Sequence, residues 1–287
     1  DSIINDTDFQ STGKRTLKID VDSLPAIPQD NTDRNRTSPM AFTGNKFEFR
    51  MLGASQSISG PNIALNTIMA EELKQFADEL EASRDFQADL PKLIRRVFTE
   101  HQRIIFNGNG YDEAWLEEAG KRGLSNLTST ADALPMYTAP KNVDLFVKHG
   151  IYTKEELFSR YEIKEENYIK TINIEAKTML SMMKKTFLPS VLSYCKELAE
   201  TAAKTKAILP DAPISAESKL LEKLSGLYTE ISEKTEALAE AEKAAESMED
   251  NIEKVAYFHY TILAKMDDLR SSVDTAEALI PDSFLPY

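Results

Sequence analysis

Residues 215–249 read SAESKLLEKLSGLYTEISEKTEALAEAEKAAESME, and this stretch decides the fold class of the chain. Its large apolar side chains recur at steps of three, four or seven residues, separated by Glu and Lys. The members of this apolar stripe are Leu221, Leu224, Tyr228, Ile231 and Leu238. Because an α-helix turns once every 3.6 residues or so, such spacing places the stripe along one face. The stretch therefore predicts a long amphipathic helix.

Two further long stretches follow the same period. Residues 163–209 read as helical, with a kink expected at Pro189, and residues 250–279 form the third helical stretch. Long helices joined by short connections usually pack antiparallel as hairpins or bundles. We therefore expect the stripe of residues 215–249 to pack inside a helical bundle. The same pattern also suits a coiled coil with a partner protein.

The middle of the chain carries signals for more helices. An apolar periodicity begins at Asn62, and Asp89 is expected to cap the next helix, with a proline in its first turn. Helices predicted over residues 112–122 and 143–148 are each followed by a glycine suited to a helix C-cap. Residues 153–156 (TKEE) form a capping box, which predicts the start of another helix.

The strand signals lie in the first part of the chain. Residues 16–21 (TLKIDV) and 46–51 (KFEFRM) alternate between polar and apolar residues, as half-buried strands do. Residues 24–28 (LPAIP) contain two prolines and favour an extended connector. The predicted fold class is therefore α+β and mostly α, with a few strands plus helices followed by a long-helix C-terminal bundle.

The composition of the 287-residue chain narrows the function classes. Its net charge of -13 argues against binding to nucleic acid or to an anionic membrane, because phosphates would be repelled. Cys195 is the single cysteine, which excludes an intramolecular disulfide and a cysteine metal cluster. The sequence shows no long apolar run, which favours a cytoplasmic protein. The three histidines, which share no metal-ligand spacing, are expected at the surface or in structural hydrogen bonds: His101, His149 and His259.

The second predicted strand carries the candidate chemistry. Side chains alternate along a strand, so Glu48 and Arg50 share one face. A carboxylate is a natural ligand of Mg²⁺ or Mn²⁺, and an arginine recognises carboxylates or phosphates with two hydrogen bonds. Arg34 and Arg36, shortly upstream, could add positive charge for a polyphosphate. An ordinary surface ion pair on an exposed strand is the alternative interpretation.

A resemblance to a known family singles out the same strand. Residues 33–39 (DRNRTSP) and 44–50 (GNKFEFR) resemble the end of the glutamine synthetase active site, where an Asn-Arg-Ser/Thr element precedes a strand of basic–apolar–Glu–apolar–Arg form. Residues 129–161 resemble the last helices of the family's catalytic domain. The amino-acid sequence is specifically similar to the type III branch of the family in several segments. These are residues 41–50, 55–58, 60–62, 104–111 and 170–175 and the long terminal helices. By this resemblance the chain is identified as the C-terminal part of a type III glutamine synthetase.

The resemblance implies a reaction and roles for three residues. Members of the family are glutamate–ammonia ligases, in which ATP phosphorylates the γ-carboxylate of glutamate and ammonia displaces phosphate from the γ-glutamyl phosphate. By position, Glu48 would bind a Mg²⁺ or Mn²⁺ ion and Arg50 would hold glutamate. Arg36 would act as a catalytic residue that contacts the ATP phosphates and the phosphoryl group in transfer. Bacterial type I enzymes have a further phosphate-binding arginine five residues after the position of Arg36, where this chain has Ala41.

The resemblance also implies an organisation. Residues 1–178 would be the C-terminal portion of a glutamine synthetase catalytic domain, and residues 179–287 would form a type III-specific helical extension. The chain opens with Asp1 and lacks the family's other carboxylate motifs. We therefore expect a piece that carries one wall of the active site and is inactive alone, from a homo-oligomer of stacked hexameric rings. The alternative function is a non-catalytic helical scaffold or interaction module, for which acidic amphipathic helices suffice.

Overall fold

The chain folds into two compact units. Unit 1 comprises Asp1–Leu127 with Asp144–Ile151, and unit 2 comprises Thr128–Val143 with Tyr152–Tyr287. The computed structural model describes residues 2–7, 16–17, 27–28, 40–42, 47–49, 56–106 and 112–285. The prediction of an α+β fold that is mostly α is confirmed, since helices make up most of the described residues.

Unit 1 contains two short antiparallel strand pairs after helix α1 (Ser2–Asn5). Strand β1 (Thr16–Leu17) pairs with β2 (Ile27–Pro28), and β3 (Met40–Phe42) pairs with β4 (Phe47–Phe49). The described parts of the two predicted strands, β1 and β4, are extended as expected. The other two were not predicted as strands: β2 lies in the expected extended connector, and β3 is too short to show an alternation.

Three α-helices follow among the described residues of unit 1. They are α2 (Ser59–Glu81), α3 (Phe86–Glu100) and α4 (Glu113–Lys121), with a 3₁₀ turn at Gln102–Ile104. The apolar periodicity predicted a helix from Asn62, and α2 begins three residues earlier, at Ser59. Gly60 and Pro61 therefore lie in its first turn. Proline is tolerated there, since the first N–H groups of a helix have no intrahelical partner.

The predicted cap of α3 was wrong. The Oδ1 atom of Asp85 accepts a hydrogen bond from the Ala88 N–H at 3.1 Å, so Asp85 is the N-cap. Asp89 lies inside the first turn, where it accepts hydrogen bonds from Ser83 Oγ at 2.6 Å and Lys92 Nζ at 2.9 Å. Both residues are aspartates near the helix start, and only the backbone geometry distinguishes the cap.

Unit 2 is built from long helices with two π-helical turns. Its helices are α5 (Thr130–Ala133), α6 (Pro140–Lys148, of which the residues from Asp144 belong to unit 1), α7 (Lys154–Met182), α8 (Leu188–Ile208), α9 (Ser215–Glu246), α10 (Asn251–Tyr257) and α11 (Ala264–Glu277). The π turns are Met183–Phe187, between α7 and α8, and Phe258–Leu263, between α10 and α11. Short 3₁₀ turns lie at Leu134–Thr138 and Asp282–Phe284.

The local signals at three helix ends are confirmed. The Oγ1 atom of Thr153 accepts from the Glu156 N–H at 3.1 Å, and Glu156 Oε2 accepts from the Thr153 N–H at 2.8 Å, which completes the capping box of α7. Gly123 after α4 and Gly150 after α6 have φ angles of 72° and 63°. Glycine reaches this left-handed region without steric cost, so both helices end where predicted.

The kink predicted at Pro189 coincides with an irregular turn. Pro189 lies in the first turn of α8, directly after the π turn Met183–Phe187. A proline has no N–H for the usual bond to the carbonyl four residues earlier, and a π turn accommodates such a break without ending the helix. Helix α7 runs through residue 178 without interruption. The boundary between residues 1–178 and 179–287 stays a prediction.

The core of unit 2 is formed by the faces that the apolar periodicity predicted. Leu224, Ile231 and Leu238 of α9 are fully buried, and α9 packs against α8 and α11. Burying a Leu or Ile side chain contributes roughly 1.5–3 kcal/mol, whereas an exposed ion pair contributes about 0–1 kcal/mol. Exposed ion pairs such as Lys170–Glu166 at 2.8 Å and Lys204–Glu200 at 3.1 Å therefore add little beside this core. The apolar stripe of α9 therefore packs inside the helical bundle of unit 2, as predicted. In the described part of the chain, every helix is too short or too polar to cross a membrane.

Candidate functional site

The predicted metal ligand Glu48 lies at the centre of strand β4. Phe47, Glu48 and Phe49 are all solvent-exposed. The Cα register pairs Glu48 with Ala41 of β3. By the resemblance, Ala41 occupies the position of a phosphate-binding arginine in type I enzymes, and the strand pairing places its backbone next to that of the predicted metal ligand.

The two predicted arginines, Arg36 and Arg50, lie outside the described residues. Their roles, and their proximity to Glu48, stay predictions. The carboxylate of Glu48 has the oxygen chemistry that Mg²⁺ or Mn²⁺ prefers. No group of three His, Cys, Asp or Glu side chains that could hold a metal ion occurs among the residues that the structure describes. Metal binding by Glu48 therefore stays a prediction.

A second polar cluster in unit 1 was not predicted from the sequence. Glu71 of α2 accepts hydrogen bonds at 2.7 Å from Lys148 Nζ, Gln75 Nε2 and His149 Nε2. The side chains of Glu71 and His149 are mostly buried. The hydrogen bonds from Lys148, Gln75 and His149 lower the pKa of Glu71 from its usual value of 4.5 to about 2. The carboxylate thus remains charged and joins α2 to the end of α6.

An open cavity of about 470 Å³ lies beside this cluster in unit 1, and the His149 side chain lines it. Two other lining side chains bind their own helix: Asn66 Nδ2 donates to the Asn62 carbonyl at 2.8 Å, and Thr67 Oγ1 donates to the Ile63 carbonyl at 2.7 Å. The imidazole is therefore the ionisable group at the cavity wall, oriented by the Glu71 carboxylate. Its hydrogen bond with Glu71 accounts for its position, and we assign this cavity no reaction.

The ion cluster at Glu71 is expected to make the stability of unit 1 depend on pH in the acid range. The pKa of Glu71 is about 2 in the folded chain, below the usual value of 4.5. Its contribution is therefore complete above pH 4.5 and is lost as the pH falls through about 2. Glu71→Gln should be less stable than the wild type at neutral pH, and the difference should close as the pH falls from 4.5 towards 2.

Urea titrations followed by tryptophan fluorescence measure this effect. Trp115, the only tryptophan of the chain, belongs to unit 1 and stacks on Phe106 at a centroid distance of 3.8 Å. The matched control is Glu72→Gln, at an exposed position for which the described residues provide no ion-pair partner. A stability difference in Glu71→Gln that is constant over this pH range would contradict the prediction.

Unit 2 holds a separate polar network around α5 and the second π turn. Asp132 accepts hydrogen bonds from Tyr260 Oη at 2.5 Å and Ser129 Oγ at 2.6 Å. The hydrogen bond from Ser129, followed by that from Tyr260, lowers the pKa of the Asp132 carboxyl. The Nδ1 atom of His259 lies 3.1 Å from Tyr168 Oη. His149 and His259 therefore both have hydrogen-bond partners, as expected of structural histidines.

Two further groups of unit 2 are buried. Glu165 is 3% exposed, and it accepts a hydrogen bond from the buried Tyr161. Burial, followed by this bond, raises the pKa of the Tyr161 phenol. Cys195 is half-buried against the core, and burial raises its thiol pKa, so it is not a reactive thiolate. These groups stabilise the bundle and form no catalytic arrangement that we recognise.

Comparison with known proteins agrees with the resemblance seen in the sequence. Residues 89–206 match the family model of the glutamine synthetase C-terminal domain. A glutamine synthetase of Butyrivibrio fibrisolvens is 40% identical over 90% of the chain and 37% of that protein. A type-3 glutamine synthetase of Dictyostelium discoideum is 36% identical over 99% of the chain and 40% of that protein. A glutamine synthetase of Bacteroides fragilis is 32% identical over 95% of the chain and 38% of that protein.

The chain belongs to the glutamine synthetase family. Its predicted similarity to the type III branch is confirmed by the match to the type-3 enzyme over almost its whole length. The chain spans less than half the length of the curated relatives it matches.

Proposed function

We propose that the natural protein containing this chain is a glutamate–ammonia ligase, which makes glutamine with ATP through γ-glutamyl phosphate. The observation that carries this proposal is the similarity to proteins named glutamine synthetase, at 40% identity over 90% of the chain in one relative. A second relative, named as a type-3 glutamine synthetase, matches 99% of the chain.

Three residues of the first part of the chain are proposed to form one wall of the active site. Arg36 would contact the phosphates of ATP, and Arg50 would bind a glutamate carboxylate with two hydrogen bonds. Glu48, which is exposed on β4, would bind Mg²⁺ or Mn²⁺. The remaining ligands would come from other parts of the natural protein, so residues 1–287 alone would not complete the site.

The chemistry of the reaction explains why such residues are needed. Glutamate and ATP are both anions, and bringing them together requires compensating positive charge. When bound, a divalent ion supplies part of that charge at the phosphates. Arg36 would stabilise negative charge on the phosphoryl group as it moves to the γ-carboxylate, and Arg50 would keep the glutamate oriented for the transfer.

The proposal also covers the partners of the protein. Glutamate, ammonia and ATP would be its substrates, and the full-length protein would be a homo-oligomer of stacked hexameric rings. The net charge of -13 disfavours nucleic acid and anionic membranes as partners. The cytoplasm, where ATP is available, is the proposed location.

The substitution Arg50→Lys in the natural protein tests the proposed glutamate contact. Lysine keeps the charge but loses the two-pronged geometry of the guanidinium, so glutamate binding should weaken while ATP binding is largely retained. A lost charge-assisted hydrogen bond is worth roughly 1.5–3 kcal/mol, or about one to two decades in affinity. Steady-state kinetics with glutamate and ATP varied in turn measure both constants.

The control for this variant is Arg84→Lys, at an exposed position after α2. It should leave both constants unchanged. If Arg50→Lys also leaves both unchanged, Arg50 does not bind glutamate. If the natural protein shows no glutamine synthesis at all, the non-catalytic scaffold becomes the better interpretation.

A further inference from the structure

Unit 2 carries an open apolar groove that contains none of the three proposed active-site residues. Helix α7, the π turn Met183–Phe187 and α11 form its walls. Its volume is about 540 Å³, and ligand pockets typically hold roughly 300–1,000 Å³. The apolar side chains that define this methionine groove are Ile174, Met179, Met182, Met183, Phe187 and Val273.

The groove has a buried floor and an exposed edge. Met183, Phe187 and Val273 are buried in the core, whereas Ile174 is 65% exposed and Met182 is 46% exposed. Large exposed apolar side chains that adjoin a groove mark a surface suited to contact with another molecule. Methionine side chains are flexible and adapt to the shape of a partner, and π turns are frequent at functional sites.

The charged residues of the lining leave the groove negative. Glu175 and Glu277 line it, and the described residues provide neither with an ion-pair partner. Arg270, the only cation among the described lining residues, forms an ion pair with Asp274 on its own helix. An occupant with positive charge beside its apolar surface would therefore complement this groove.

The secondary structure of the walls restricts the type of occupant further. The lining residues are all helical, so the groove offers no strand edge to an extended peptide. Its contacts must be made by side chains, which suits a helix laid into the groove. Lys184 and Lys185 on the π turn are exposed and do not line the groove.

We propose that the methionine groove docks an amphipathic helix of a partner protein. The helix would insert apolar side chains between Ile174 and Met182 and would place Lys or Arg next to Glu175 and Glu277. This inference is independent of the proposed ligase activity.

A fluorescently labelled helical peptide tests the inference. The probe has leucine on one face and lysine on the other, and its matched partner has glutamate in place of every lysine. The wild-type chain should bind the leucine–lysine peptide at least about tenfold more tightly than the leucine–glutamate peptide in fluorescence anisotropy. Met182→Glu should weaken binding of the leucine–lysine peptide by about tenfold or more, because it places a charge in the apolar contact.

Two controls separate docking from general attraction by an acidic protein. Leu192→Glu introduces the same charge at an exposed apolar residue of α8 outside the groove. The double variant Glu222→Lys with Glu236→Lys, on the exposed side of α9, changes the net charge as much as Glu175→Lys with Glu277→Lys does. We expect the groove variants to lose binding and both controls to retain it.

Several outcomes would overturn the inference. They are no binding of the leucine–lysine peptide, equal binding of the two peptides, and equal losses in groove and control variants. Sedimentation of the wild-type chain as a dimer that Met182→Glu dissociates would identify a second copy as the occupant, and would also overturn it.

Discussion

The substitution Glu48→Gln in the natural protein is expected to raise the divalent-metal requirement steeply and to reduce turnover. Glutamine has the shape of glutamate but no negative charge, so it is a poor ligand for Mg²⁺ or Mn²⁺. Loss of one charge-assisted contact is worth roughly 1.5–3 kcal/mol, which corresponds to about one to two decades in metal affinity. Measuring ADP release over a series of Mg²⁺ and Mn²⁺ concentrations gives the shift directly.

The control for this variant is Glu72→Gln, an equal change at an exposed residue of α2. It should leave the metal dependence unchanged. The alternative interpretation of Glu48, as a member of an ordinary surface ion pair, predicts the same null result for Glu48→Gln. Near-normal constants for metal, ATP and glutamate in both Glu48→Gln and Arg50→Lys would remove strand β4 from the active site.

The substitution Leu238→Ala is expected to destabilise unit 2 by about 2–5 kcal/mol. Leu238 is fully buried in α9, where the residue lies in the core of the bundle. Removing its terminal carbons loses their burial and leaves a cavity that the neighbouring helices fill only in part. Urea unfolding followed by far-UV circular dichroism, together with hydrogen exchange of the α9 amides, measures the loss.

The matched control is Leu192→Ala in α8, where the leucine is 55% exposed. Both changes remove the same atoms from the interior of a helix and raise helix propensity equally, so their difference isolates burial. The control should change the free energy of unfolding by no more than about 0.5 kcal/mol. Equal effects of the two substitutions would show that α9 does not pack through its apolar stripe.

Residues of the candidate site could be predicted from the sequence only where they belong to a short local motif. Glu48 stands in a strand motif that the sequence displays within a few residues, and the structure places it at the centre of β4. The pairing of Glu48 with Ala41 was not predictable from the alternation, because β3 comprises three residues. The cluster of Glu71 with Lys148 and His149 joins residues 77 and 78 positions apart, and no periodicity relates them.

The methionine groove, too, could be predicted from the sequence only in part. The sequence shows Ile174 and Met182 as apolar residues of one predicted helical stretch, and this pattern does not say whether a neighbouring helix covers them. The structure leaves both exposed at the groove, which Val273 and Glu277 of α11 line as well. Whether an apolar face is covered depends on where the other helices lie.

Local patterns along the chain were enough to predict its helical character, most of its helix ends and its family. Helices, capping boxes and glycine C-caps follow from hydrogen bonds between residues three to five positions apart, which a linear pattern records. The choice of Asp85 rather than Asp89 as the cap of α3 is also local, but it depends on backbone angles that the residue pattern does not record. The ion pairs that join Glu71 of α2 to α6 and the open methionine groove were decided by tertiary structure, because they depend on contacts between distant residues. Those contacts form only when the packing of the helices brings the residues together.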